Sequence, residues 1–215
     1  MKIVMLSGSP KRKDSASIYL LEQLKKRMPD DEITLLRTDD LIHKIGDTDE
    51  MKNTDKIGDI DKTDALILSF PLYVDGIPSN VLAFMQETEQ EWKNHNHKTM
   101  LYIVVNNGFY DAKQNKIAAG MTEVWGEACG LQIGNVLAVG GGGMMKSAPP
   151  GVGPMANLGK ALNQFIDDIH EKKQGEVTLV EPNFPRFLYK EAGNMGWRHQ
   201  AKANGLPVSE MKRKL

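Results

Sequence analysis

The sequence predicts an α/β fold: a doubly wound, five-stranded parallel sheet between helices in three layers, followed by a C-terminal extension. Three observations lead there. Short runs rich in Val, Ile and Leu alternate with longer stretches of helical periodicity. The runs are apolar throughout rather than alternating, as strands buried on both faces of a parallel sheet are. Each of the four clearest runs then stops abruptly at Ser, Pro, Asn or Gly, where a strand hands over to a loop.

Residues 3–6 form the first expected strand, and residues 18–28 the first helix, with Leu20, Leu21 and Leu24 on one face. Residues 33–36 form the second strand. Residues 39–63 are polar and are read as a loop with a short helix; Asp39-Asp40 there reads as a helix cap, because a ribose-binding acid would need a glycine fingerprint upstream. Residues 65–70 form a third strand, ended by Pro71, and Ser79 is expected to cap a helix over 80–92. A fourth strand at 100–105 ends at Asn106-Asn107-Gly108, and residues 114–129 are helical. The fifth strand, 133–139, ends in four glycines, 140–143, and a last helix spans 156–173 with Leu158, Leu162, Phe165, Ile166 and Ile169 inward. The expected domain is thus 1–175. Residues 176–215, with Pro182, Pro185, several aromatics and a basic end, are read as an extension packed on the domain or on a second subunit.

Composition removes several function classes. A net charge of −1 lacks the basic footprint of a nucleic-acid binder. The single cysteine, Cys129, cannot make an internal disulfide or a Cys-rich metal or iron–sulfur site, which fits a reducing cytoplasm. Cys129 is read as core, with a redox thiol as the alternative. No run approaches the roughly 20 apolar residues of a membrane span, and no leader pattern is expected.

Ligands of open α/β sheets sit at the carboxyl ends of the strands. The first such loop is Ser7–Ser17. It is neither a Walker A loop nor a dinucleotide fingerprint, because Gly8 is its only glycine. What remains is Ser7, Ser9, Ser15 and Ser17 leading into a helix N-terminus, where N–H groups and the helix dipole favour an anion. By itself the loop is explained equally by a serine helix cap beside the solvated charges Lys11, Arg12 and Lys13. The loop after the third strand adds rigid prolines and Tyr73; the loop after the fourth adds small polar donors with Phe109 and Tyr110. A phosphate nest beside amides and aromatics describes a site for a phosphorylated planar heterocycle.

In register, "GSPKRKDSAS" (8–17), "SFPLYVDGIPS" (69–79) and "NNGF" (106–109) resemble the flavodoxin-like NAD(P)H-dependent FMN reductase and quinone reductase family. The resemblance implies a flavodoxin-like fold and FMN as cofactor. It implies Ser9, Ser15 and Ser17 as phosphate ligands, with Lys11 and Ala16 in the same stretch. Pro71, Leu72, Tyr73 and Val74 would line the ring and ribityl chain. Asn106, Asn107, Gly108 and Phe109 would meet the pyrimidine side. Two departures from the family pattern fall in the first loop: Ala16 separates two serines, and the loop is about one residue longer than in many relatives.

The activity so implied takes hydride from NADPH or NADH and passes electrons to a quinone, flavin, azo or nitro compound, or metal ion. Such chemistry belongs to the cofactor, so no acid/base dyad is expected. The alternative is a non-enzymatic flavodoxin-like electron carrier, which the near-neutral charge disfavours; a scaffold that has lost FMN is a third reading. The resemblance also implies a homodimer or homotetramer.

Four weaker features have two readings each. Lys11–Lys13 are a solvated run or a draw for nicotinamide phosphates. The glycine run allows close approach to the site or is a flexible link. His95 and His97 are a surface loop or an incomplete metal pair. Arg198 and His199 pack on their own domain or cover a partner's flavin.

Overall fold

The computed structural model describes residues 1–42, 62–93 and 98–212. Strands β1 (Lys2–Ser7), β2 (Glu32–Arg37), β3 (Ala65–Pro71), β4 (Met100–Asn106), β5 (Gln132–Val139) and β6 (Val177–Val180) form one parallel sheet in the order β2-β1-β3-β4-β5-β6. Helices α1 (Ala16–Lys25), α2 (Ser79–Trp92), α3 (Lys116–Ala128) and α4 (Ala156–His170) supply the outer layers.

Burial follows the sequence pattern. Residues 3–6 of β1, 65–70 of β3 and all of β4 are buried, so both faces of the central sheet are covered. One face is packed by Leu20, Leu21 and Leu24 of α1 with Leu158, Leu162 and Phe165 of α4. The other is packed by Val81, Phe84 and Trp92 of α2 with Ala118, Ala119 and Trp125 of α3. Two apolar layers on one sheet are the expected three-layer architecture.

The sheet has six strands rather than five. Val177–Val180 pairs parallel to β5, from Val136↔Val177 to Val139↔Val180, within the stretch read from sequence as an extension. Four residues with one neighbouring strand and three partly open positions carry little pattern of their own; pairing with β5 makes the strand. The β4–β5 register shifts between Leu101 and Ile103. The extra β5 residue falls at Gly134–Asn135, where a Cβ on Gly134 would lie 2.5 Å from the Tyr102 ring.

Helix α2 also departs from expectation. It begins at Ser79 behind Pro78, and no side chain caps it. The Pro78 carbonyl accepts from Val81 and Leu82 N–H instead. Of the stretch 39–63, the described part shows a 3-10 turn at Thr38–Asp40, a buried Leu41 and a buried Thr63; residues 43–61 lie outside the described residues, as do His95 and His97.

The chain divides into two units, Met1–Pro182 and Asn183–Leu215. The second holds α5 (Arg186–Ala203), which carries Arg198 and His199 at exposed positions. Among the described residues no helix is long and apolar enough to cross a membrane.

Chain order reverses between β1 and β3: β2 lies on one side of β1, and β3 to β6 follow on the other. The carboxyl ends flanking that reversal are where an open α/β sheet makes its crevice.

Candidate functional site

Three strand-end loops are joined by hydrogen bonds. Gly8 N–H at the end of β1 donates to Ser69 O in β3 at 2.8 Å. The Ser69 hydroxyl donates to Ser17 O at 3.4 Å, and the Ser17 hydroxyl to Asn106 Oδ1 at 2.8 Å. Leu72 N–H donates to Asn106 O at 2.8 Å. The N-terminus of α1, the β3 loop and the β4 loop therefore meet around Asn106.

Within the first loop each serine has its own place. Ser15 is the N-cap of α1, and its oxygen accepts from Ile18 N–H at 3.3 Å. Ser9 is buried, and its oxygen accepts from Lys11 N–H at 3.3 Å. Ser17 is buried and its hydroxyl points inward to Asn106. What the first turn of α1 offers is backbone, at half-buried Ala16 and buried Ser17. The N–H groups there precede the first intrahelical bond, from Tyr19 N to Ser15 O. Lys11, Arg12 and Lys13 are exposed on the loop.

A bracket that sequence reading misses holds this loop from behind. Arg37 donates to Ser9 O at 2.7 Å and Lys11 O at 3.2 Å, and pairs with Asp39 at 2.8 Å. The Asn80 amide donates to Gly8 O, Thr38 Oγ1 and Asp39 Oδ1 at 3.2, 3.1 and 2.6 Å. Asp39, expected as a helix cap, is the shared acceptor of the two. A Cβ on Gly8 would sit 2.2 Å from Val81 Cγ2 and 3.0 Å from Phe70 Cβ, so the loop lies directly against α2. Only the parallel register, which sets Arg37 beside Ser7, foreshadows the bracket.

The second loop leaves β3 at Pro71 and ends in a tight hairpin. Tyr73 and Gly76 exchange both backbone bonds at 3.0 Å, around Val74 at φ +48° and Asp75 at φ +58°. Two positive φ values across a two-residue turn are the type I′ pattern. Valine at positive φ is strained, and here its side chain is fully exposed with Tyr73 half-exposed beside it.

The third loop is anchored at its base and open at its tip. Asn107 N–H donates to Val139 O at 3.0 Å, and its amide to Asp111 O at 3.2 Å and Asn115 Oδ1 at 3.0 Å. Asn115 in turn donates to Val139 O at 3.1 Å. The side chain of Asn107 thus serves the loop's interior, and its Oδ1 is buried with no hydrogen-bond partner among the described residues. At the tip, none of the described residues beyond its chain neighbours comes within 4 Å of where a Gly108 Cβ would be, and Phe109 is 52% exposed.

The glycine run meets protein. Gly141 N–H donates to Phe109 O and Gly142 N–H to Asn107 O. Side chains here would collide with that loop: a Cβ on Gly140 would be 2.2 Å from Tyr110 O, and one on Gly142 2.6 Å from Asn107 O. Farther along, Lys146 reaches Asp14 of the first loop at 3.5 Å and lies 5.8 Å from the Tyr19 ring centroid.

The sequence profile of a family described as NADPH-dependent FMN reductase matches residues 1–125. No curated protein matches the chain. Among solved structures, an apo NADH:FMN oxidoreductase is similar at TM-score 0.59 and 18% identity, over 81% of this chain and 91% of the other. A flavodoxin from Streptococcus pneumoniae TIGR4 gives 0.54 and 11%, over 79% and 99%. A protein from P. pentosaceus described as an NADPH-quinone reductase gives 0.51 and 13%, over 81% and 99%. At such identities the likeness establishes the flavodoxin-like fold.

Proposed function

Because the chain belongs to the NADPH-dependent FMN reductase family, we propose that the joined strand-end loops hold FMN and that the protein is an oxidoreductase carrying electrons from NADPH or NADH to a small-molecule acceptor. The acceptor class is a quinone, free flavin, azo or nitro compound, or a metal ion. The single observation that carries this reading is the junction around Asn106. It sets a helix N-terminus beside two loops whose tips expose Tyr73, Val74 and Phe109.

The residues present fit such a cofactor. The first turn of α1 offers N–H donors and a favourable dipole to a terminal phosphate, with Ser9, Ser15, Ala16, Ser17 and the Lys11 cation around it. Pro71, Leu72, Tyr73 and Val74 are assigned to the ring and ribityl chain. Asn106, Asn107, Gly108 and Phe109 are assigned to the pyrimidine edge, where backbone groups serve as partners because the Asn107 amide is turned inward. FMN supplies hydride acceptance and onward electron transfer when bound; the chain supplies orientation and hydrogen bonds.

The exposed cations Lys11, Arg12, Lys13 and Lys146 beside the first loop favour an anionic dinucleotide donor, and a small-molecule reductase over a carrier docking protein partners.

The test is an absorbance spectrum of the purified protein, before and after anaerobic NADH or NADPH. Flavin bands near roughly 370 and 450 nm that bleach are expected, and the faster donor sets the preference. A flavin spectrum that persists with both donors makes the protein a carrier. No flavin after incubation with FMN overturns the assignment.

A further inference from the structure

Lys146 follows Asp14 by 132 residues, yet the fold carries its ammonium to the loop that opens α1. There it stands 3.5 Å from Asp14 Oδ1 and 5.8 Å from the centroid of the Tyr19 ring. Asp14 immediately precedes the N-cap Ser15, and Tyr19 carries the N–H of the first intrahelical bond. A cation is thus set at the end of α1 whose free N–H groups and dipole favour an anion. Its backbone is fixed on both sides. Met145 is 1% exposed in the core that α1 and α4 pack, and Ser147 N–H donates to Met144 O at 2.7 Å. Only the flexible four-carbon stem is left to swing.

The partner that holds Lys146 holds it weakly. The Asp14 side chain is 96% exposed and that of Lys146 47%, and an ion pair so open to water is worth little. The sheet side of the same corner holds an unspent hydroxyl. Ile3 and Met5 of β1 pack with Leu20 and Leu21 of α1, so strand alternation turns Ser7 to the α1 side as well. Ser7 is 0% exposed, and its hydroxyl has no hydrogen-bond partner among the described residues. A buried hydroxyl left unpaired is costly. A ligand oxygen at the α1 end would give it an acceptor.

We propose that Lys146 is a swinging clamp on the phosphomonoester of a ligand, and that Asp14 holds it until that ligand arrives; this rests on the reading of these loops as a flavin nucleotide site. A phosphomonoester carries a charge of about −1.5 to −2 at pH 7. Asp14 carries at most one, so the ammonium transfers to the phosphate and the carboxylate is left to the water that already surrounds it. Asp14 is therefore a competitor for Lys146 and a like charge beside the phosphate. Two ligands share this chemistry: FMN through its 5′-phosphate and NADPH through its 2′-phosphate. Riboflavin and NADH lack the group.

The test uses the full chain, with FMN and riboflavin titrated side by side by fluorescence quenching. Lys146→Ala should weaken FMN by about five- to tenfold and leave riboflavin unchanged. Asp14→Asn should act in the opposite sense and tighten FMN by about two- to threefold. Asparagine tolerates the φ of +52° at that position, so the loop keeps its course. In the Lys146→Ala background the gain from Asp14→Asn should shrink, which a double-mutant cycle measures. Both positions are exposed, so circular dichroism spectra and urea midpoints should match wild type. Unchanged FMN affinity in Lys146→Ala, with a KM that rises for NADPH and not for NADH in the FMN-loaded protein, assigns the clamp to the 2′-phosphate instead. Unchanged FMN affinity with unchanged KM for NADPH overturns the clamp and leaves the flavin site standing. Equal weakening of FMN and riboflavin, or weaker FMN binding in Asp14→Asn, overturns it too. A wild-type chain that binds neither flavin overturns the reading of the site itself, and the clamp with it.

Discussion

The Ser17 hydroxyl donates a 2.8 Å hydrogen bond to Asn106 Oδ1, joining residues 89 positions apart in the chain. This bond makes the start of α1 and the end of β4 one structure. It also separates two serines that look alike in sequence.

Ser17→Ala leaves Asn106 Oδ1 buried without that donor. We expect a loss of about 1–3 kcal/mol in urea unfolding of the FMN-free protein. Ser9→Ala removes only an acceptor for Lys11 N–H at the loop, so stability should stay within about 0.5 kcal/mol while FMN affinity falls. Fluorescence-quenching titrations with FMN read the second effect. A Ser17→Ala protein as stable as wild type would show that the bond carries no net energy.

Gly8→Ala places a methyl 2.2 Å from Val81 Cγ2, in a seam that has no space for it. A destabilisation of about 1–3 kcal/mol is expected from overpacking. Combining it with Val81→Ala should recover part of the loss, a coupling that a double-mutant cycle measures. Strict additivity of the two losses would refute the steric account.

Arg37→Ala removes the donors that hold Ser9 O and Lys11 O. Loss of charge-assisted bonds of about 1.5–3 kcal/mol should weaken FMN binding about tenfold or more, if the loop must hold this shape to bind phosphate. Arg37→Lys should restore little, because one ammonium does not reproduce the fork. Unchanged FMN affinity in Arg37→Ala would mean the bracket is structural only.

Asp168 is buried and accepts from Gln164 at 2.9 Å and Asn135 at 3.0 Å, with Lys173 at 3.4 Å. Burial pushes its carboxyl up, but these donors outweigh it and hold it below the ordinary carboxylate value. A lowered native value means the group stabilises the fold above the unfolded value, about 3.9, and that this stability is lost as pH falls through the native one. Urea midpoints should therefore drop below about pH 4, and Asp168→Asn should flatten that fall. Asp31 is also held low: burial opposes ionisation, but the N-terminal ammonium and His170 outweigh it. Its titration lies in the same window, so some slope should remain.

The central strands were legible because burial on both faces writes a continuous apolar run, as in residues 65–70 and 100–105. The edge strand Val177–Val180 was not, since a partner strand rather than local composition creates it. Helix starts were only partly legible: Ser15 caps α1 as its position invites, whereas Ser79 caps nothing. For the candidate site, strand-end position marked the three loops, but not which way a polar group turns. Ser17 and Asn107 both spend their side chains inward. Arg37 and Asn80 stayed hidden because their bonds to the first loop span 28 and 72 residues, beyond any local spacing rule.

The lacing of residues 107–109 to the glycine run has a kinetic side. Gly141 and Gly142 donate to Phe109 O and Asn107 O, while Asn107 donates to Val139 O. Folding has thus already met the entropy of arranging this wall, and an arriving ligand has none of it left to order. Flavin capture should accordingly be one exponential phase, with a rate that rises linearly with flavin concentration in stopped flow and shows no plateau from a rearranging loop.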